Sequence, residues 1–280
     1  MEHKKKLKVK AISLVFTFLL TMLLIVLFVC LDLYFGVFHD KSILRKVNES
    51  NYYNEVYKVL NTDAEALVTE AGLPASVMEE VITLERVYIN GKQYIEAALQ
   101  GRTADISTAK LREKLLENIN SYLASADILQ EQEVAAGVEG LVKDVEQMYL
   151  QKIRVEYIHY LTDYRIKFLS ALRWVIPLLL LLIGVTCYFL IKIHPYKHRG
   201  IRQIDYALNA ASVLAIGTAV YLLTTGNYIK SGITPEYYSK FISLSLQWDF
   251  QVLLYLGCIG AAVSLVLMTL IGFMRNQISS

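Results

Sequence analysis

Glu156, His159 and Asp163 follow one another at spacings of three and four, which puts them on one face of an α-helix. Two carboxylates and an imidazole so placed have the geometry to hold a divalent metal. The same spacing also describes a solvated polar face, with Tyr157, Tyr160 and Tyr164 opposite. The solvated face is the reading adopted. His194 and His198 are four apart, but Pro195 stands between them and the charged neighbours are basic. A cationic loop repels a metal ion and suits anionic lipid headgroups instead. Glycine loops that cradle phosphate, a His-Glu-x-x-His pair and a Gly-x-Ser-x-Gly nucleophile turn are all missing from the chain. The expectation is a non-enzymatic protein with no catalytic residues, no metal and no cofactor.

Three aspartates mark the ends of apolar runs. Asp32 closes the first, Asp205 opens the third and Asp249 opens the fourth. By position all three are interfacial. Asn209 and Ser212 lie deeper, where polar groups more often join helices than line a path.

The elements that must position these groups are membrane spans. Hydrophobic residues make up 55% of the 280 residues and charged residues only 19%. The excess falls in four blocks, Ala11–Phe38, Trp174–Ile191, Ile204–Leu223 and Phe250–Phe273. A helix of roughly 20 apolar residues crosses a bilayer. The first block follows a tail with Lys4, Lys5, Lys6, Lys8 and Lys10, which the positive-inside rule keeps cytoplasmic. It is too long for a cleaved signal sequence and reads as a signal anchor. Cys30, Cys187 and Cys258 all fall in or beside apolar blocks and read as small buried hydrophobes.

The pattern gives an all-α fold. It has four transmembrane helices and a helical-bundle extracytoplasmic domain inserted between spans 1 and 2. The order runs from a basic cytoplasmic tail (1–10) to span 1 (11–38), the domain (39–170) and span 2 (171–193). A basic cytoplasmic loop (194–203), span 3 (204–225), an outer loop with an interfacial helix (226–248), span 4 (249–274) and a cytoplasmic tail (275–280) follow. The domain holds 15 Lys and Arg against 21 Asp and Glu. Its apolar residues recur at three and four.

Leu44, Val47, Val56, Leu60, Leu67 and Val68 suggest one helix continuing out of span 1 and stopping near Gly72, with Pro74 opening the next. Asn90-Gly91 threatens to break the segment 75–100, which Gly101 ends. Leu111, Leu115, Ile119 and Tyr122 stripe another helix. Asp127 with Gln130 resembles a capping box. It opens a long helix that runs without a clear break from 127 to 193, though Gly137 and Gly140 invite a kink. Thr234-Pro235-Glu236 reads as the start of the interfacial helix.

Ala207, Ala211, Ala215 and Ala219 repeat every four residues on span 3. Gly257, Gly260, Ala261 and Ser264 offer a small-residue face on span 4. Small faces let helices approach closely, so spans 3 and 4 are expected to pack through them, or to join a membrane-protein partner or a second copy. Lys192, Lys197, Arg199 and Arg202 are expected to contact lipid headgroups. The bilayer is one partner, and nucleic acid is not expected. A helical domain between two spans resembles the layout of bacterial sensors, without their output module. The functional expectation is a sensor-like or accessory module in the plasma membrane, both termini cytoplasmic, whose outer domain binds a partner or ligand. The alternative is a subunit of a transport or export complex.

Overall fold

A computed structural model describes residues 2–36, 38–126, 132–154, 156–226 and 236–279. Most of these residues are helical, and none is in a strand. In order they form α1 (Glu2–Phe35), α2 (Asp40–Glu49), α3 (Tyr52–Glu70), a 3₁₀ turn (Ala75–Met78), α4 (Leu84–Leu99) and α5 (Ala109–Ser125). Then come α6 (Gln132–Ile153), α7 (Glu156–Ile193), α8 (Lys197–Thr225) and α9 (Glu236–Ser279). They assemble into two compact units. One comprises Met1–Ile43, Lys167–Ile233 and Ile242–Ser280; the other comprises Leu44–Ile166 and Thr234–Phe241.

The first unit is built from four helices long and apolar enough to cross a membrane: Val9–Phe35, Thr162–Ile193, Lys197–Thr225 and Tyr237–Asn276. This fits a multi-pass membrane protein. Its outward faces carry exposed apolar side chains such as Leu14, Phe18, Leu181, Val266 and Phe273, as a surface suited to lipid would. Inside, Leu20, Leu190 and Ala207 form one buried cluster. Phe28, Ala211 and Ala215 form another. Pro177 sits within α7.

The second unit is a bundle around α6, which packs on α3, α4 and α5. Val56, Leu60, Ala64 and Val68 of α3 are buried, as are Leu111, Leu115 and Ile119 of α5 and Val142, Val145 and Tyr149 of α6. Each set repeats at three or four, so each helix turns one apolar stripe inward. Several polar groups of this unit are paired. Asn90 Nδ2 donates to the Tyr149 hydroxyl at 2.9 Å. Buried Arg165 donates to the Leu99 carbonyl at 2.7 Å, a C-terminal carbonyl of α4 that α4 itself leaves unsatisfied. Lys152 pairs with Asp63 at 2.7 Å, and Arg112 bridges Glu139 and Glu146.

Several local expectations change. The helix leaving the first span is not continuous: it is interrupted after Phe35 and again at Ser50 and Asn51, where Asn51 takes φ 60°. Asparagine tolerates this left-handed conformation better than other side chains. Gly72 (φ 82°) follows α3 and Gly101 (φ 69°) follows α4, as read. Pro74 caps only a four-residue 3₁₀ turn.

Asn90-Gly91 does not break α4. A Cβ at Gly91 would stand 2.7 Å from Tyr53 Cε1, so the glycine serves close packing of α4 on a tyrosine ring. The interruption falls instead at Glu79–Thr83, where Glu80 has φ 59°. α6 runs through Gly137 and Gly140 without interruption. The long helix divides instead at Arg154, a residue with no glycine or proline beside it.

The separate interfacial helix is replaced by α9, which continues unbroken from Glu236 into the fourth apolar run. The first glycine after Glu236 is Gly257, so no weak point divides it. The expected caps at Asp127 with Gln130 and at Thr234-Pro235 lie outside the described residues, as do the side chains of Glu156 and His159; Asp163 is exposed.

Candidate functional site

Between the end of α2 and the start of α4 lies an open groove of about 510 Å³. Asn48, Asn51, Tyr53 and Asn54 form one wall; Leu84, Glu85 and Tyr88 form the other. Local chemistry builds both. The Asn51 N–H donates to the Asn48 carbonyl at 3.1 Å, and the Glu55 N–H donates to the Asn51 carbonyl at 3.2 Å. That turn redirects the chain and sets three amides at intervals of three residues along one wall. On the opposite wall, the Thr83 hydroxyl accepts from the Arg86 N–H at 3.3 Å and caps α4. Arg86 Nη1 donates to the Val81 carbonyl at 2.7 Å. The first turns of α4 are thereby fixed, and Tyr88 with them.

Tyr53 joins the walls. Its ring meets that of Tyr88 edge-on, with centroids 5.0 Å apart, and lies against Gly91. Burial pushes its phenol well above the ordinary tyrosine range, with Tyr88 and Glu96 adding to the effect. Tyr53 is therefore a neutral donor and acceptor at physiological pH. Beside the groove, the rings of Tyr237 and Tyr238 pack on Tyr52 with centroids 5.3 and 5.8 Å away. The first turn of α9 thus belongs to the bundle.

The groove offers amides, phenol rings and one carboxylate. Amides donate and accept at once, and aromatic faces take apolar or C–H surfaces. Pockets of this size take small molecules. Sequence reading passed over these residues. The available signal was the Asn48, Asn51, Asn54 repeat around the Tyr52-Tyr53 pair.

The residues singled out in the membrane helices fall in two places. Ala207, Ala211, Ala215 and Ala219 are buried, and the first three pack against α1, through Leu20 and Phe28. α9 approaches α8 on an adjoining strip. A Cβ at Gly257 would stand 3.2 Å from the Ala215 Cβ and 3.1 Å from the Ile216 nitrogen, and one at Gly260 would collide with the Ser212 hydroxyl. Ser264 donates to Asp205 at 2.6 Å. The alanine stripe thus receives chiefly α1. Gly257, Gly260 and Ser264 do meet α8, while Ala261 is half-buried.

Lys192, Lys197, Arg199 and Arg202 are exposed around the short turn His194-Pro195-Tyr196. The last three stand on the first turns of α8, not on an extended loop. Lys192 lies 5.5 Å over the Tyr188 ring and Arg199 lies 5.3 Å over the Tyr196 ring. Burial and the nearby Arg199 and Arg202 pull the His194 imidazole below its usual value. Gly200 makes the tight turn possible: a Cβ there would stand 2.6 Å from the Ile191 Cα.

Asp32, Asp205 and Asp249 are 7%, 1% and 8% exposed, so each is enclosed by helices and not open to solvent. Cys30 and Cys187 are half-buried and Cys258 is exposed on the apolar surface. Comparison with known proteins gave no matching family model, no matching curated protein and no matching solved structure.

Proposed function

We propose that this chain is a multi-pass plasma-membrane protein whose helical domain, residues 39–170, faces away from the cytosol and binds a ligand or partner without converting it. The observation behind this reading is the groove between Asn48–Asn54 and Leu84–Tyr88. It is lined by groups that recognise by hydrogen bonding and stacking. Sidedness is supported by charge: the lysine-rich start and the basic α7–α8 turn sit at span ends, where the positive-inside rule assigns the cytoplasm. The spans anchor the domain, and the turn's cations rest against anionic headgroups.

The test is native mass spectrometry of the full-length protein in detergent. A bound mass is expected that the double variant Tyr88→Ala, Asn54→Ala loses while its helical melt stays unchanged. No bound mass in the unaltered protein, or one retained by the double variant, contradicts the reading.

The second reading, a subunit of a transport or export complex working through spans 3 and 4, draws on the polar groups enclosed among the apolar helices. Asp205 with Ser264 is the main pair. Reconstituted flux abolished by Asp205→Asn supports it, and flux unaffected by that change contradicts it.

A further inference from the structure

The groups lining the groove narrow what it can hold. Asn48, Asn51 and Asn54 bring three side-chain amides, and Glu85 and Tyr88 stand across from them. Among the described residues, none of these amides spends its side chain on a hydrogen bond within the protein; Asn51 precedes α3 without capping it. Tyr88 is 38% exposed, while Tyr53, packed edge-on against it, is 6% exposed. The Tyr88 ring is therefore the aromatic surface that the groove presents.

Charge excludes one class of ligand. Neither lysine nor arginine lines the groove. Arg86, next to Glu85, donates to the Val81 carbonyl instead. An anion would meet the Glu85 carboxylate with no lining cation to offset it.

A cation fits better, since a carboxylate and a tyrosine ring both attract it. However, each amide also brings two N–H donors, which a cation cannot use. A hydroxyl both donates and accepts, so it can use either end of an amide and the carboxylate as well. A ring of carbon atoms bearing hydroxyls also has apolar C–H surfaces, which suit a phenol ring.

We propose that the groove binds a neutral sugar, its C–H face stacked on the Tyr88 ring and its hydroxyls shared among Asn48, Asn51, Asn54 and Glu85. This rests on the ligand-binding reading above and names the class of ligand.

The test is saturation-transfer NMR on the full-length protein. Many detergents carry a sugar head, so the protein is held in lipid nanodiscs. The probes are glucose, galactose, mannose, N-acetylglucosamine and maltose, with choline and glucuronate as charged controls. At least one neutral sugar should receive saturation, most strongly at its ring C–H protons. Tyr88→Ala should abolish that transfer. Asn54→Asp is nearly isosteric but trades a donor for a charge, so it should weaken the sugar about tenfold and would tighten a cation. Unchanged helical melts show that both variants fold. No transfer to any neutral sugar overturns the proposal, as does a sugar signal that survives Tyr88→Ala, or transfer to choline only that Asn54→Asp strengthens. A bound mass lost by the double variant Tyr88→Ala, Asn54→Ala would still mark the groove as a binding site, so failure of the sugar assignment is told apart from failure of the binding reading.

Discussion

The two units solve the same packing problem by opposite means. The bundle around α6 fills its interior with large side chains: Leu60, Leu111, Leu115, Ile119 and Tyr149 are all essentially inaccessible. The membrane helices come together largely by leaving side chains out. Gly200 meets the backbone of Leu190 and Ile191, Gly257 meets the backbone of Ile216, and alanines line the seam between α1 and α8.

The difference follows from solvent. In water, burying apolar area stabilises at about 25 cal/mol per Å², so bulk is useful. Lipid is as apolar as leucine, so helix association there draws on close van der Waals contact and hydrogen bonds. The two interiors should therefore respond differently to the same substitution.

The largest effect is expected at Gly200. Its Cβ would meet main-chain atoms of α7, which cannot swing aside. Gly200→Ala should force the α7–α8 turn open and remove most of the folded protein recovered in detergent, read by size-exclusion chromatography. Normal recovery and an unchanged melt would show that the seam tolerates bulk.

Gly91→Ala should be milder. Its Cβ would meet the edge of one tyrosine ring, and overpacking of this kind costs about 1–3 kcal/mol. The loss is measured as a lower denaturation midpoint, with weaker ligand retention because Tyr53 lines the groove.

Tyr149→Phe should cost about 1–2 kcal/mol, since the buried Asn90 amide would lose its acceptor. A neutral result would mean that water reaches that amide.

The smallest change, and the only gain, is expected at Gly140→Ala. Nothing stands within 4 Å of a Cβ there, and alanine is preferred to glycine in a helix by about 1 kcal/mol. Its stability should rise, sharpening the contrast with Gly91 a helix away.

Periodicity made much of this fold readable. The four apolar runs, the α5 stripe and the glycine stops at Gly72 and Gly101 needed no tertiary information. Positions where one residue serves a distant one were not readable. Gly91 reads as a helix breaker because a window of sequence cannot see Tyr53, 38 positions earlier. The turn at Ser50-Asn51 was missed because asparagine is a modest local signal. The division at Arg154 carries no local signal at all. The alanine stripe was recognised as a packing face, but spacing alone does not say which helix fills it, and α1 does. The groove stayed invisible because its two walls are 30 or more residues apart.

Sidedness is the claim on which the functional reading depends, and labelling tests it directly. With Cys30, Cys187 and Cys258 replaced by serine, Asn48→Cys and Lys197→Cys each present one exposed thiol. A membrane-impermeant maleimide added to intact cells should label Asn48→Cys at once and Lys197→Cys only after permeabilisation. Labelling of Lys197→Cys in intact cells, with Asn48→Cys protected, would place the groove in the cytosol and contradict the account.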